Sequence, residues 1–124
     1  MLAFLLAALG LSTACSQTFK NMDVKEFAEL IADSSVVILD VRTADEYAEG
    51  HIKGAVLIDQ SKSDFIEQVN AQLPKNKVIA VYCRSGRRSA NAAGRLAQEG
   101  YTPVNLKGGI LAWMKENQPV ESFD

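Results

Sequence analysis

The segment Val78-Ile79-Ala80-Val81-Tyr82-Cys83-Arg84-Ser85-Gly86-Arg87-Arg88-Ser89 places one thiol, three guanidinium groups and a glycine directly after a continuously apolar run. A cysteine becomes a nucleophile as its thiolate, and thiolates are favoured where positive charge and hydrogen-bond donors converge. Arg84, Arg87 and Arg88 supply the charge. A short loop containing Gly86 can curl so that successive backbone N–H groups point inward and form a nest for an anion. If a helix follows, its free N–H groups and dipole act in the same direction. The pattern predicts a covalent nucleophile that handles an anionic, sulfur-bound group, with Cys83 as the attacking atom and residues Arg84, Ser85, Gly86, Arg87 and Arg88 as its cradle.

The elements needed to hold such a loop are legible on both sides of it. Lys77 to Tyr82 reads as a strand buried on both faces, as in a parallel sheet. Ligands bind at the carboxyl ends of such strands. Ser89 to Gly100 has Ala90, Ala93, Leu96 and Ala97 at helical spacing. Upstream, Asp23 with Glu26 and Thr43 with Glu46 have the spacing of capping boxes. They predict helices through Val24–Ile31 and Thr43–Glu49, with Gly50 ending the second. Val36–Leu39, Gly54–Ile58 and Thr102–Leu106 read as further strands, Ser63–Leu73 as a helix closed by Pro74, and Gly108-Gly109 as a turn into a last helix with Trp113 in the core. Strands separated by helices imply parallel pairing and an α/β fold. The tail from Gln118 to Asp124 carries no pattern.

Composition narrows the class. The chain has 124 residues, 48% hydrophobic and 23% charged, enough for one globular domain. A formal net charge of −2 argues against a broad nucleic-acid surface. With one histidine and two cysteines there is no Cys/His cluster to hold a metal, and no organic cofactor is implied. Leu2 to Leu11 is an apolar run too short to span a bilayer and of signal-peptide length. Ser12-Thr13-Ala14-Cys15 follows it. Small residues before a cysteine resemble a bacterial lipoprotein signal, although Leu11 stands one position further from the cysteine than usual and no basic residue precedes the run. Residues 1–16 are therefore read as a signal peptide with Cys15 as a candidate lipidation site, and 17–124 as the folded domain. Cleavage after Ala14 is the alternative. Either implies a bacterial cell-envelope location, periplasmic or lipid-anchored, with the membrane touched only through an N-terminal lipid.

Cys83-Arg84-Ser85-Gly86-Arg87-Arg88-Ser89 resembles the active-site loop of rhodanese-like sulfurtransferases. Leu39-Asp40-Val41-Arg42, Glu46-Tyr47, Gly50-His51-Ile52-Lys53-Gly54-Ala55 and Gly108-Gly109-Ile110-Leu111-Ala112-Trp113 resemble other signatures of that family, in the same order. Lys53 stands where the family usually has proline. The resemblance implies a five-stranded parallel sheet with helices on both faces and a persulfide on Cys83. The implied reaction moves sulfane sulfur from a donor such as thiosulfate to cyanide, a thiol or a protein acceptor.

Loop length separates this chemistry from its neighbours. Cysteine phosphatases place an arginine six positions after the nucleophile, where this chain has Ser89, and Arg88 lies at five. The shorter ring suits a single terminal sulfur better than a tetrahedral phosphoryl group, so a phosphatase or arsenate reductase is the lesser alternative. A non-catalytic binding module on the same fold is the other. Asp40 and Arg42 are expected as an ion pair at a neighbouring strand end, His51 as a turn-fixing residue rather than a base, Ser89 as a further supporting residue, and Lys107 near the site.

Overall fold

The computed structural model describes residues 18–122. Strand β1 (Lys20–Met22) leads into helix α1 (Val24–Ile31), then β2 (Val37–Asp40), α2 (Ala44–Glu49), β3 (Val56–Leu57), α3 (Phe65–Gln72), β4 (Val78–Tyr82), α4 (Arg87–Gln98), β5 (Thr102–Leu106) and α5 (Gly109–Lys115). The five strands form one all-parallel sheet in the order β1-β5-β4-β2-β3. β4 is central, with Ile38 opposite Ala80 on one side and Val104 opposite Ala80 on the other.

Side chains alternate across a strand, and β4 shows what this does for Cys83. Ile79, Val81 and Cys83 face a core layer containing Phe65, Val69, Ala92 and Leu96 from α3 and α4. Ala80 and Tyr82 face the opposite layer, built on Val24, Phe27, Ile110 and Trp113. All five residues are fully buried. That is why the run reads as continuously apolar, and each large side chain so buried contributes about 1.5–3 kcal/mol. Phe27 meets Trp113 edge-on with ring centroids 6.1 Å apart, which ties α1 to α5.

Both capping boxes form. Asp23 Oδ1 accepts from Glu26 N at 2.8 Å, and Thr43 Oγ1 accepts from Glu46 N at 3.3 Å, with each glutamate returning to the cap N–H.

Five local readings differ from the structure. β1 has no counterpart in the apolar pattern: Lys-Asn-Met lies at the sheet edge, mostly exposed, and is extended by its pairing with Val104–Leu106. Helix α4 starts at Arg87 rather than Ser89, because Gly86 takes a left-handed conformation (φ 97°) and releases the chain into the helix two residues earlier. Helix α3 starts at Phe65 rather than Ser63, and only Val56–Leu57 of the Gly54–Ile58 stretch pairs as strand. The tail is docked through Gln118, Pro119 and Glu121: His51 and Glu121 exchange two backbone hydrogen bonds of 2.9 Å, and Trp113 Nε1 donates to Pro119 O at 2.8 Å. The expected signal segment and Cys15 lie outside the described residues. No helix among the described residues is long and apolar enough to cross a membrane.

Candidate active site

The loop between β4 and α4 wraps around the Cys83 sulfur. Gly86 N donates to Sγ at 3.1 Å, Ser89 N at 3.2 Å and Ser89 Oγ at 3.2 Å. Two of these donors are main-chain amides, one at the left-handed Gly86 and one in the first turn of α4. The first-turn amides of Arg87 and Arg88 also lack acceptors within the helix. Ser89, read from the sequence as a supporting residue, is itself fully buried, so its hydroxyl is a fixed donor rather than a surface group. Cys83 has no exposed surface, with apolar side chains of the α3/α4 layer on one side and the three donors on the other. A reagent therefore reaches Sγ only if the loop above it yields.

The three arginines divide. Arg84 and Arg87 are exposed, as is Ser85, and neither arginine has an ion-pair partner among the described residues. Arg88 is turned away to Glu46 of α2: Nη1 donates to Oε1 at 2.9 Å and Nη2 to Oε2 at 2.8 Å. The Arg88 hydrogen bond, working against partial burial, holds the Glu46 carboxyl down at about 2, against an ordinary 4.5. Glu46 in turn raises Arg88, and the nearby Cys83 and Asp40 add to this. Arg88 thus contributes positive potential to the loop while both its terminal nitrogens are held by Glu46.

Beneath the loop, Asp40 and Arg42 form the expected pair at the end of β2. Arg42 Nε lies 2.9 Å from Oδ1, Nη2 lies 2.7 Å from Oδ2, and Nη2 also donates to Gly50 O at 2.7 Å. Both residues are buried. Burial works against the Arg42 charge, but the Asp40 carboxylate outweighs it and the guanidinium is held above its usual value. The Tyr82 ring lies under Arg42, 5.6 Å from the guanidinium carbon, and its hydroxyl accepts from Ile52 N at 3.0 Å. Burial first, then the Asp40 charge, pushes the Tyr82 phenol upward. His51 Nδ1 sits 2.8 Å from Tyr47 O, and the two rings stack at 3.8 Å. These contacts place His51 in the turn that carries Ile52 to Tyr82, as a turn-fixing residue would be.

Two features escaped the sequence reading. Glu46 appears there only as a capping residue and as part of a motif; its partnership with Arg88 spans 42 positions. Gly109 appears only as a turn residue. A Cβ on Gly109 would sit 2.3 Å from Arg84 O and 2.6 Å from Cys83 O. With that clearance, Ile110 N donates to Cys83 O at 2.9 Å and Leu111 N to Arg84 O at 3.1 Å. The Gly-Gly pair after β5 is thus what lets the start of α5 clasp the backbone of Cys83 and Arg84. Lys107 lines a surface hollow with Ser85, Gly86 and Arg87. No group of three or more potential metal ligands occurs among the described residues.

Comparison with known proteins follows this geometry. A family model described as a rhodanese-like domain matches residues 23–116. A protein of Allochromatium vinosum named sulfurtransferase is 37% identical over 102 residues, covering 81% of this chain and 92% of that protein. A tRNA uridine(34) hydroxylase of Acinetobacter baumannii is 40% identical over 106 residues, covering 82% of this chain but only 34% of its own length. Among solved structures, a rhodanese-related protein of Thermoplasma volcanium matches with a TM-score of 0.76 and 31% identity, covering 86% of this chain and all of that one.

Proposed function

Since the chain belongs to the rhodanese-like domain family, and so to a family of sulfurtransferases, we propose that it carries sulfur as a persulfide on Cys83, taken from a small anionic donor such as thiosulfate. The observation that supports this most directly is the convergence of Gly86 N, Ser89 N and Ser89 Oγ on one sulfur atom. Three donors aimed at a thiol are matched to an anionic sulfur, and they can be inherited by the terminal sulfur of a persulfide.

In the first step the Cys83 thiolate attacks the outer sulfur of thiosulfate. The S–S bond of the donor breaks, sulfite leaves with the electron pair, and Cys83 retains the persulfide anion. In the second step a thiophilic acceptor attacks that outer sulfur and Sγ leaves as thiolate. With cyanide the product is thiocyanate. No external oxidant or reductant is needed. Arg84 and Arg87 draw in the dianion, and Arg88, anchored on Glu46, keeps the loop electropositive. Because Arg88 is so anchored, it is poorly placed to clamp a phosphoryl group.

The test is intact mass after thiosulfate treatment. The expected result is gain of one sulfur atom, released by cyanide and absent in Cys83→Ala. Full sulfur transfer by Cys83→Ser would overturn the assignment. The same proposal places the protein in a bacterial cell envelope, supported by the apolar Leu2–Leu11 run and Cys15. Recovery of the native protein solely in the cytosolic fraction would overturn that part.

A further inference from the structure

Three large apolar side chains are exposed among the described residues: Leu111 at 41%, Met114 at 44% and Val120 at 38%. All three line a single cavity of about 310 Å³, a volume that suits a small organic ligand. Isolated exposed apolar residues are ordinary, whereas their collection in one hollow is not. The hollow borders the loop that carries Cys83, because its wall includes Arg84, and Ile110 and Leu111, also in that wall, donate their amides to the Cys83 and Arg84 carbonyls.

Four charged side chains also reach this cavity, and two are already satisfied: Arg42 by Asp40 and Gly50, Glu46 by Arg88. The remaining two, Arg84 and Glu49, are exposed, form no ion pair with each other, and have no other ion-pair partner among the described residues. An apolar wall with one uncompensated cation and one uncompensated anion is complementary to a zwitterion on a short hydrocarbon chain.

We propose that this cavity seats the sulfur acceptor, and that the acceptor is a low-molecular-weight amino-acid thiol. Its carboxylate pairs with Arg84, its ammonium with Glu49, and its methylenes lie on Leu111, Met114 and Val120. The proposal rests on the persulfide reading above. The acceptor thiolate attacks the outer sulfur of the Cys83 persulfide, the bond between Sγ and that sulfur breaks, and an organic persulfide leaves while Cys83 returns to thiolate.

The experiment uses the full chain loaded with thiosulfate and compares homocysteine with 4-mercaptobutyrate, which lacks the ammonium, and 3-aminopropanethiol, which lacks the carboxylate. Rates are expressed per thiolate. Homocysteine is expected to exceed each analogue in kcat/KM by about fivefold, the scale of one exposed ion pair. Glu49→Gln is expected to remove the advantage over 4-mercaptobutyrate, and Met114→Ser to slow homocysteine, while both variants turn over cyanide at the parental rate. In parallel, L-methionine, an unreactive S-methyl analogue, is titrated into the resting protein by NMR; shifts at Leu111 and Met114 that vanish in Glu49→Gln support the seat. Equal rates for the three thiols, or equal loss of cyanide turnover in the variants, overturn it. Methionine binding without any persulfide formation overturns the persulfide reading and the acceptor role, and leaves a zwitterion site.

Discussion

Arg88, in the first turn after the Cys83 loop, is bound through both terminal nitrogens to Glu46, which also closes the capping box of the helix following β2. One carboxylate thus fastens the end of the Cys83 loop to α2. Bidentate pairing of this kind fixes geometry as well as charge.

That pair has a pH signature. The Glu46 carboxyl is depressed to about 2 from an ordinary 4.5. The stabilisation is therefore fully present above the unfolded value and is lost as pH falls through the folded one. Glu46→Gln is expected to cost about 1–2 kcal/mol at pH 7, discounted for the partial exposure of both side chains. The cost should shrink below pH 4.5 and vanish only below about pH 2. Urea unfolding of both proteins across that range measures it, and a penalty independent of pH would contradict the pairing.

Ser89→Ala removes one of three donors to the sulfur without touching the backbone. Loss of a single donor to a developing anion is expected to lower thiosulfate kcat/KM by at least about tenfold. Thermal stability should change little, since the methyl is tolerated in a buried position. Steady-state kinetics alongside a melting curve separates the two effects.

Gly109 and Gly54 form an internal control. Both have positive φ, 61° and 86°, but a Cβ at Gly109 would strike the Arg84 carbonyl while one at Gly54 would meet nothing within 4 Å. Gly54→Ala is expected to cost about 1 kcal/mol with transfer activity retained. Gly109→Ala is expected to cost about 3 kcal/mol or more and to abolish activity, because the main chain of Cys83 and Arg84 must shift. Denaturation midpoints and turnover of the two variants test this.

Because Cys83 is fully covered, alkylation should report on loop opening. Iodoacetamide is expected to modify the native protein much faster than a bulky N-aryl iodoacetamide with the same reactive group, and the two should approach each other in denaturant. Prior loading with thiosulfate should move the label to the outer sulfur, from which dithiothreitol releases it, whereas a label on Sγ itself is retained. Equal native rates would mean that the sulfur is open in solution.

Most of the fold was legible because its signals are local. Cap pairs three residues apart, the apolar run ending at Tyr82, and glycines at turns each depend on a few neighbouring positions, and the capped helices and the central strand lie where those signals put them. β1 was invisible for the converse reason: Lys20–Met22 has no apolar pattern, and only its pairing with β5 makes it a strand. The docked tail was missed likewise, since its anchors His51 and Trp113 are distant in sequence or serve another element.

At the site the division is similar. Residue types between Cys83 and Ser89 were enough to single out this loop as the candidate site, with its charge and its likeness to a known family, because those depend on composition over seven consecutive positions. Which arginines remain available, which glycine makes room for the loop, and which apolar side chains gather beside it depended on the packing of α2, α5 and the tail against β4 and its loop. Those contacts join residues tens of positions apart, and no periodicity along the chain encodes them; they exist only once the sheet has brought the strand ends together.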